Sequence, residues 1–303
     1  MELKWLEDFL ALCKFGNFRI SSEQRFVSQP AFSRRIKSLE AWLGASLIDR
    51  TTHPIQLTVA GEAFKPVAQE IVRLARQSLK DVKVKTGRDE LKIRFSTLNS
   101  LAQFFMPAWL KQLQPFIGTE LFCVTADLGH IDNHLYALEQ GEVDFFICYE
   151  DPSGTILADT SRFASILLGT ERLIPVVSPN EDGTPRWWLP ASPTGAIPYL
   201  HTTSTPSAWP IKNHLIKHYG HLNFVPVYES SITSAIKAMA VEGYGVAWVP
   251  HSIVAGDLAR SILVRAAEEK DDIPVQIKIY KCRGNKEPRV EKFWNVLQQK
   301  QVI

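Results

Sequence analysis

Between Val27 and Leu43 the apolar positions Phe32, Ile36, Leu39 and Leu43 recur at helical spacing, and Gln29, Ser33, Arg34 and Lys37 fall on the other side. That alternation predicts a helix with one face packed and one face presented to a partner. Ser28 stands at the expected N-cap, where its hydroxyl can accept from a first-turn NH. Pro30 falls in that first turn, where a missing NH costs nothing. Gly44 supplies the stop. Upstream, Leu6, Phe9, Leu10 and Cys13 share one face of a helix over about 3–15 that ends at Gly16. A short helix over about 19–25 then leads through Phe26 and Val27 into the capped one. Helix, helix, tight connection, helix is the grammar of a helix-turn-helix.

After Gly44 the pattern shortens. Ser46 to Arg50 and the alternating Ile55, Gln56 and Leu57 flank Thr51, Thr52, His53 and Pro54, which predicts a two-stranded wing. Arg50 and His53 at its tip suit a phosphate or a minor groove, and a solvated turn is the alternative. From Thr58 to about Lys85 an approximate ridge of Val67, Ile71, Leu74 or Ala75, Ser78 and Val82 predicts a long helix in need of a partner surface. Pro66 is expected to break or bend it, with the straight part beginning near Val67. Its polar side carries Lys65, Arg73, Arg76, Lys80, Lys83 and Lys85, read either as DNA contacts or as a solvated basic face.

Thr86 to Asp89 forms a polar, hinge-like break, beyond which strands and helices alternate. Strands are expected over 91–96, 121–126 and 144–148, with helices over about 100–113 and 131–140. A second unit from about Ser165 has strands over 172–178, 197–200, 223–228 and 246–249, with helices over 210–218 and 233–242. A strand near 274–280, read as returning to the first unit, and a helix over 288–299 close the chain. The pattern predicts an α/β domain with a largely parallel sheet, in two lobes hinged around a cleft.

Composition narrows this little. The 303 residues suit about two domains, and a formal charge of +2 leaves any nucleic-acid partner to local patches. Cys13, Cys123, Cys148 and Cys282 are far apart and form no CxxC pair, so neither a zinc site nor a disulfide framework is expected. No signal peptide or membrane-length apolar run is recognisable, and a reducing cytoplasm is the expected compartment.

Thr97, Asn99 and Ser100 lie between a strand end and a helix start in the first lobe, and Thr202, Thr203 and Ser204 do so in the second. Hydroxyls and helix-start NH groups can hold a carboxylate or another small anion, although each residue also reads as an N-cap or turn residue. No nucleophile, base and orienter stand at recognisable spacing: there is no GxSxG, HExxH or Gly-rich phosphate loop. His130, His134, His201, His214, His218 and His221 are scattered. His214 and His218 share a helix face, but two ligands without a further partner seldom hold a metal. No catalytic residue, metal or cofactor is therefore expected.

The run from Phe9 to Phe64, with GNF at 16–18, SQPAFSRRIKSLEAWLG at 28–44 and QLTVAGEAF at 56–64, resembles the LysR-type transcriptional regulators. The resemblance continues in FFMPAWL at 104–110, LEQGEVDFFI at 138–147 and AVEGYGVAWVP at 240–250. Ser21 and Ser22 replace the family's usual pair of alanines, and Ile48 replaces its usual aromatic. The resemblance implies an α/β protein with an N-terminal all-α winged helix-turn-helix and a two-lobed periplasmic-binding-protein-like effector domain. The expected division is 1–58 for DNA binding, 59–87 for the linker helix and hinge, and 88–303 for the effector domain. Within the last, lobe I is expected over about 88–164 and 273–303, and lobe II over about 165–272.

The resemblance further implies that Gln29, Pro30, Ser33, Arg34 and Lys37 face the major groove of double-stranded DNA, with Arg35 and Arg50 on phosphate. Paired linker helices would join homodimers, commonly assembled as homotetramers, on an interrupted palindrome. A small-molecule effector would sit between the lobes, with Cys148 and Tyr149 on the hinge side and Val246 to Trp248 as a wall. Ligand closure of the lobes would then reset two recognition helices on DNA. The LEAWLGA segment is similar to a subgroup that includes hypochlorite-responsive regulators, so oxidation of Cys148 or Met239 is an alternative trigger. Buried packing is the other reading of the four cysteines and of Met1, Met106 and Met239. A transport binder or an enzyme on the same two lobes is the reading from another class, and residues 1–85 have no use in it.

Overall fold

The computed structural model describes residues 1–52, 54–85, 92–118, 121–126, 128, 131–152, 162–203 and 208–300. His53, Thr86 to Asp89, His130 and Ser204 lie outside the described residues. The chain divides into two compact units, Met1–Glu90 with Glu139–Gly141, and the remainder.

The first unit comprises α1 (Leu3–Phe15), α2 (Phe18–Gln24), α3 (Gln29–Leu43), strands β1 (Ile48–Asp49) and β2 (Gln56–Leu57), and α4 (Val59–Lys85). The stops are where the glycines predicted them: Gly16 and Gly44 take the left-handed conformation that L-residues avoid, with φ of 58° and 71°. Leu6, Phe9, Leu10 and Leu12 of α1 meet Phe32, Ile36 and Leu39 of α3 and Ala68 and Val72 of α4 in one core. The wing is a two-stranded antiparallel ribbon with Ile48 opposite Leu57. Its base is clasped to the start of α4, where Thr58 donates from its backbone NH to Leu47 O (3.0 Å) and from its hydroxyl to Ser46 O (2.7 Å). Gly61 makes that clasp feasible, because a Cβ there would strike the Leu47 carbonyl.

The expectation of a break at Pro66 is corrected: α4 runs without interruption from Val59 across it. A proline costs a helix one NH donor and crowds the carbonyl four residues earlier. Here Ala68 and Val72, packed into the core on the turns that follow, hold the helix course against that penalty.

The second unit carries β3 (Lys92–Thr97), a π-helical turn (Leu101–Phe105), α5 (Met106–Ile117), β4 (Leu121–Ala126), α6 (Ile131–Glu139), β5 (Phe145–Glu150) and the long β6 (Phe163–Val177). It continues with β7 (Ala196–Thr202), α7 (Ala208–Tyr219), β8 (Asn223–Ser230), α8 (Thr233–Val241), β9 (Val246–Pro250), α9 (His251–Ala259), β10 (Val264–Arg265), β11 (Ile273–Cys282) and α10 (Pro288–Lys300). The strand order is β4-β3-β5-β11-β6-β9-β7-β8, with β10 on β6.

The sheet is mixed rather than largely parallel. In the first lobe β3 pairs parallel with β4 and β5, and in the second β7 pairs parallel with β8 and β9. The antiparallel pairs are those of β6 and β11, which cross between the lobes: β6 pairs with β9 through Leu173–Val176, and β11 pairs with β5 through Gln276–Tyr280. Two chain crossings that return in opposite directions require antiparallel neighbours, and alternation alone does not reveal direction. The first-lobe core is aromatic, with Phe95 against Phe145 (5.5 Å), Phe293 (5.7 Å) and Trp109 (6.2 Å between ring centroids).

Candidate nucleic-acid interface and ligand positions

At about 100° per residue, Gln29, Ser33, Lys37, Pro30 and Arg34 fall within an arc of about 140° of α3, opposite Phe32, Ile36, Leu39 and Leu43. The structure keeps the two arcs apart. Phe32, Ile36 and Leu39 are wholly buried, whereas Gln29, Pro30, Arg34 and Lys37 are exposed and Ser33 is half-buried. Among the described residues neither Arg34 nor Lys37 forms an ion pair, so two cations, an amide and a hydroxyl stand on one accessible face.

Ser28 occupies the N-cap position with extended backbone, but its hydroxyl makes no cap bond. The expected cap is therefore corrected in its mechanism. Pro30 and Gly44 delimit the helix, and the exposed Ser28 hydroxyl is left to solvent or a ligand. A side-chain cap does form one helix earlier, where Asn17 Oδ1 accepts from Arg19 N (2.9 Å) and Ile20 N (3.2 Å).

Arg35 differs from Arg34 in its surroundings. It lies about 100° round the helix from Arg34, on the flank of the packed face, and its guanidinium donates to Asp8 Oδ2 at 3.2 Å. Asp8 is wholly buried on α1 and also accepts from Arg25 Nε at 2.9 Å. Arg25 reaches Glu7 (2.6 Å), and Arg76 of α4 reaches the other oxygen of Glu7 (2.9 Å). One carboxylate pair thus ties α1, the turn after α2, α3 and α4 together. Burial pushes the Glu7 carboxyl up, but Arg76 and Arg25 outweigh it and hold it below the ordinary value. Arg35 is thereby tied to the fold through one nitrogen of its partly exposed guanidinium. Arg76 joins the same network and Arg73 pairs with Glu70 (2.6 Å), which assigns two of the basic residues of α4 to intrachain pairs.

Sequence reasoning also missed Glu40, which aims the wing. Its Oε1 accepts from Leu47 N (2.9 Å) and Ile48 N (3.3 Å), and its Oε2 from Arg50 (2.9 Å). The Arg50 guanidinium additionally stands over the Phe18 ring at 5.4 Å. Arg50 remains partly exposed, so it is held in place by Glu40 with donors left to the outside. An acidic residue on the half-polar edge of an amphipathic helix carries no local mark of such a role.

In the second unit, Thr97 and Thr202 end β3 and β7, and the carboxyl ends of parallel strands are where ligands of α/β proteins bind. Thr97 is buried and donates to Ile147 O (2.9 Å). Ser100 is buried just ahead of the π-helical turn. Thr202 is buried, and the Thr203 backbone NH donates to Ser230 O (3.1 Å). Asn99 is half-buried.

The remaining ligand positions are corrected. Along β5, Ile147 and Tyr149 face the large core while Phe146 and Cys148 face a separate cluster with Ala137, Leu138 and Tyr280, so Cys148 and Tyr149 cannot line one cleft. Trp248 is 1% exposed, enclosed by Phe224 (6.0 Å), Tyr199 and Tyr219 (6.2 Å each), and Val246 is wholly buried beside it. Both belong to the core. Their apolar character fitted a wall and a core equally, and only strand pairing separates the two.

The sulfur groups differ in accessibility. Burial pushes the Cys13 thiol up to about 12 and raises Cys148 well above its ordinary value, which suppresses the reactive thiolate. Met106 is 2% exposed, Met239 packs against the second-lobe cluster, and Cys123 is exposed. His214 and His218 stack at 4.6 Å, but among the described residues no group of three or more metal-binding side chains occurs. Among the same residues no helix is long and apolar enough to cross a membrane.

Residues 3–62 match the bacterial regulatory helix-turn-helix protein family of lysR type, and residues 86–301 match the LysR substrate binding domain. The HTH-type transcriptional regulator YjiE of Escherichia coli K12 is 28% identical over 303 residues, 100% of this chain and 96% of that protein. The full-length structure of HypT from Salmonella typhimurium, a hypochlorite-specific LysR-type regulator, is similar with 29% identity and a TM-score of 0.59, covering 99% of each chain. Vibrio fischeri DarR, solved in complex with DNA, is similar with 28% identity and a TM-score of 0.58, covering 98% of each chain. With a winged helix-turn-helix ahead of a two-lobed domain, and family matches over both, this chain belongs to the LysR family of DNA-binding transcriptional regulators with an effector-binding domain.

Proposed function

We propose that α3 reads a DNA half-site through Gln29, Pro30, Ser33, Arg34 and Lys37, with Arg50 on the flanking phosphate. The observation that carries this reading is the exposed cationic and polar arc of α3, held opposite a wholly buried stripe and, among the described residues, free of ion pairs at Arg34 and Lys37. Arg and Lys can donate to guanine O6 and N7, Gln can pair with adenine, and the proline ring can meet a thymine methyl. The protein acts as a homodimer or homotetramer joined through α4, whose exposed Val67 and Leu74 lie one heptad apart. Two linked recognition helices then demand an interrupted palindrome.

The effector is a small anion held between the lobes by Thr97, Asn99, Ser100, Thr202 and Thr203. Hydroxyls at strand ends and NH groups at helix starts supply neutral donors to a carboxylate. Ligand that favours the closed lobes shifts the relative placement of subunits, and its differential affinity for the two arrangements is the whole of the signal. This reading is preferred to oxidation at Cys148 because that thiol is buried and held well above its ordinary value, and oxidation at Met239, half-buried against the second-lobe cluster, is the alternative trigger. Genome-wide mapping of bound DNA tests the proposal. Bound fragments are expected to share an interrupted palindrome, and fragments without any common sequence contradict it.

A further inference from the structure

Phe26, in the turn between α2 and α3, combines two costs that the fold itself does not need. The residue is 96% exposed, far above the next aromatic among the described residues, Tyr244 at 57%. Its backbone has φ of 53°, the left-handed region in which a bulky L-residue crowds its own carbonyl. Among the described residues only Ser192 and Ser261 share a positive φ without being glycine, and both are small. The turn requires this conformation, because Phe26 N donates to Glu23 O (3.1 Å) and Val27 N to Ser22 O (3.0 Å) as the chain reverses. Glycine or asparagine would meet that requirement with less strain and no exposed apolar surface.

Phe26 is also continuous with the proposed reading face. It stands two residues before the exposed Ser28 and three before Gln29, so its Cα lies within about 7 Å of that of Ser28. The flanking Arg25 guanidinium is committed to Glu7 and Asp8, leaving the aromatic ring as the accessible group of the turn. Major-groove chemistry offers one apolar feature for such a ring, the C5-methyl of thymine.

We propose that Phe26 is a specificity-determining residue that covers a thymine methyl beside the bases read by α3. This rests on the reading that α3 enters the groove. Strain and exposed apolar surface in the free protein are then offset on binding, when the ring leaves water.

The test uses the full-length protein and a duplex that it enriches from a randomised pool, titrated at fixed salt. Phe26→Gly removes the ring and relieves the backbone, so its melting temperature is expected to equal or exceed that of the parent. Its affinity for the enriched duplex is expected to fall on the order of tenfold, the scale of one lost base contact. Replacing thymine by uracil in the half-sites is expected to weaken the parent and leave Phe26→Gly unchanged. Equal affinities of parent and Phe26→Gly overturn the inference, as does uracil weakening both alike. A smaller oligomer of Phe26→Gly by light scattering overturns it too, since the ring would then meet a second copy. Arg34→Ala run alongside separates the failures. Weakening at Arg34 with none at Phe26 refutes this inference alone, and no weakening at either refutes the placement of α3.

Discussion

Asp8→Ala is expected to destabilise the DNA-binding unit by about 3–5 kcal/mol, the cost of removing one partner from a buried ion pair. Asp8 is wholly buried, while the side chains of Arg25 and Arg35 that converge on it are 28% and 27% exposed. Removing the carboxylate leaves the Arg35 guanidinium without its partner and Arg25 with Glu7 alone, and α1, α3 and the turn between α2 and α3 lose their common fixture. For a domain of this size that loss corresponds to a fall in melting temperature of more than about 10 °C. Thermal unfolding of the full chain, followed by exchange of α1 and α3 amides, measures it. A transition within about 2 °C of the parent contradicts the assignment of Arg35 to the fold. The neighbouring Glu7 adds a pH signature. Its folded carboxyl titrates below the ordinary value, so its contribution is present above the unfolded pKa and is lost as pH falls through the folded one.

The second large effect concerns α4. Val67 and Leu74 are 49% and 50% exposed, while Ala68 and Val72, on the adjacent face, are wholly buried in the core of their own chain. A helix with a second apolar edge beside the one it packs is built to meet another helix. Val67→Glu combined with Leu74→Glu is expected to give a monomer in sedimentation. Affinity for a two-half-site duplex is expected to fall by about 10²–10⁴-fold, because the second half-site is no longer bound at high effective concentration. Both side chains are half-exposed, so the fold is expected to survive the change. An unaltered oligomer contradicts the role of α4.

Much of this was legible in local pattern. The stripe of Phe32, Ile36, Leu39 and Leu43, the proline in the first turn and the glycine stops at 16 and 44 located α1 and α3, since each is a rule about residues a few positions apart. The parts that were not legible depend on distant partners. Helical spacing puts Arg35 on the flank of the packed face and Arg34 away from it, but the ion pair of Arg35 depends on Asp8, 27 residues away in sequence. Pro66 suggested a break because propensity says nothing about the core that carries the helix past it. Helix α9, HSIVAGDLA, escapes pattern reading because its apolar residues do not gather on one face and it follows directly on Pro250. Trp248 and Cys148 looked suitable for a ligand because strand direction and sheet face are tertiary facts. Phe26 was passed over as a connector, although a bulky residue in a tight turn is itself an anomaly.

The central claim is that α3 recognises sequence through its exposed face. Its most direct test is a salt-controlled binding titration of Arg34→Ala on the enriched duplex and on an unrelated duplex. A base contact predicts a loss of about 1–3 kcal/mol on the enriched duplex, with little change on the unrelated one. Equal affinities of variant and parent on the enriched duplex, at matched salt, would contradict it.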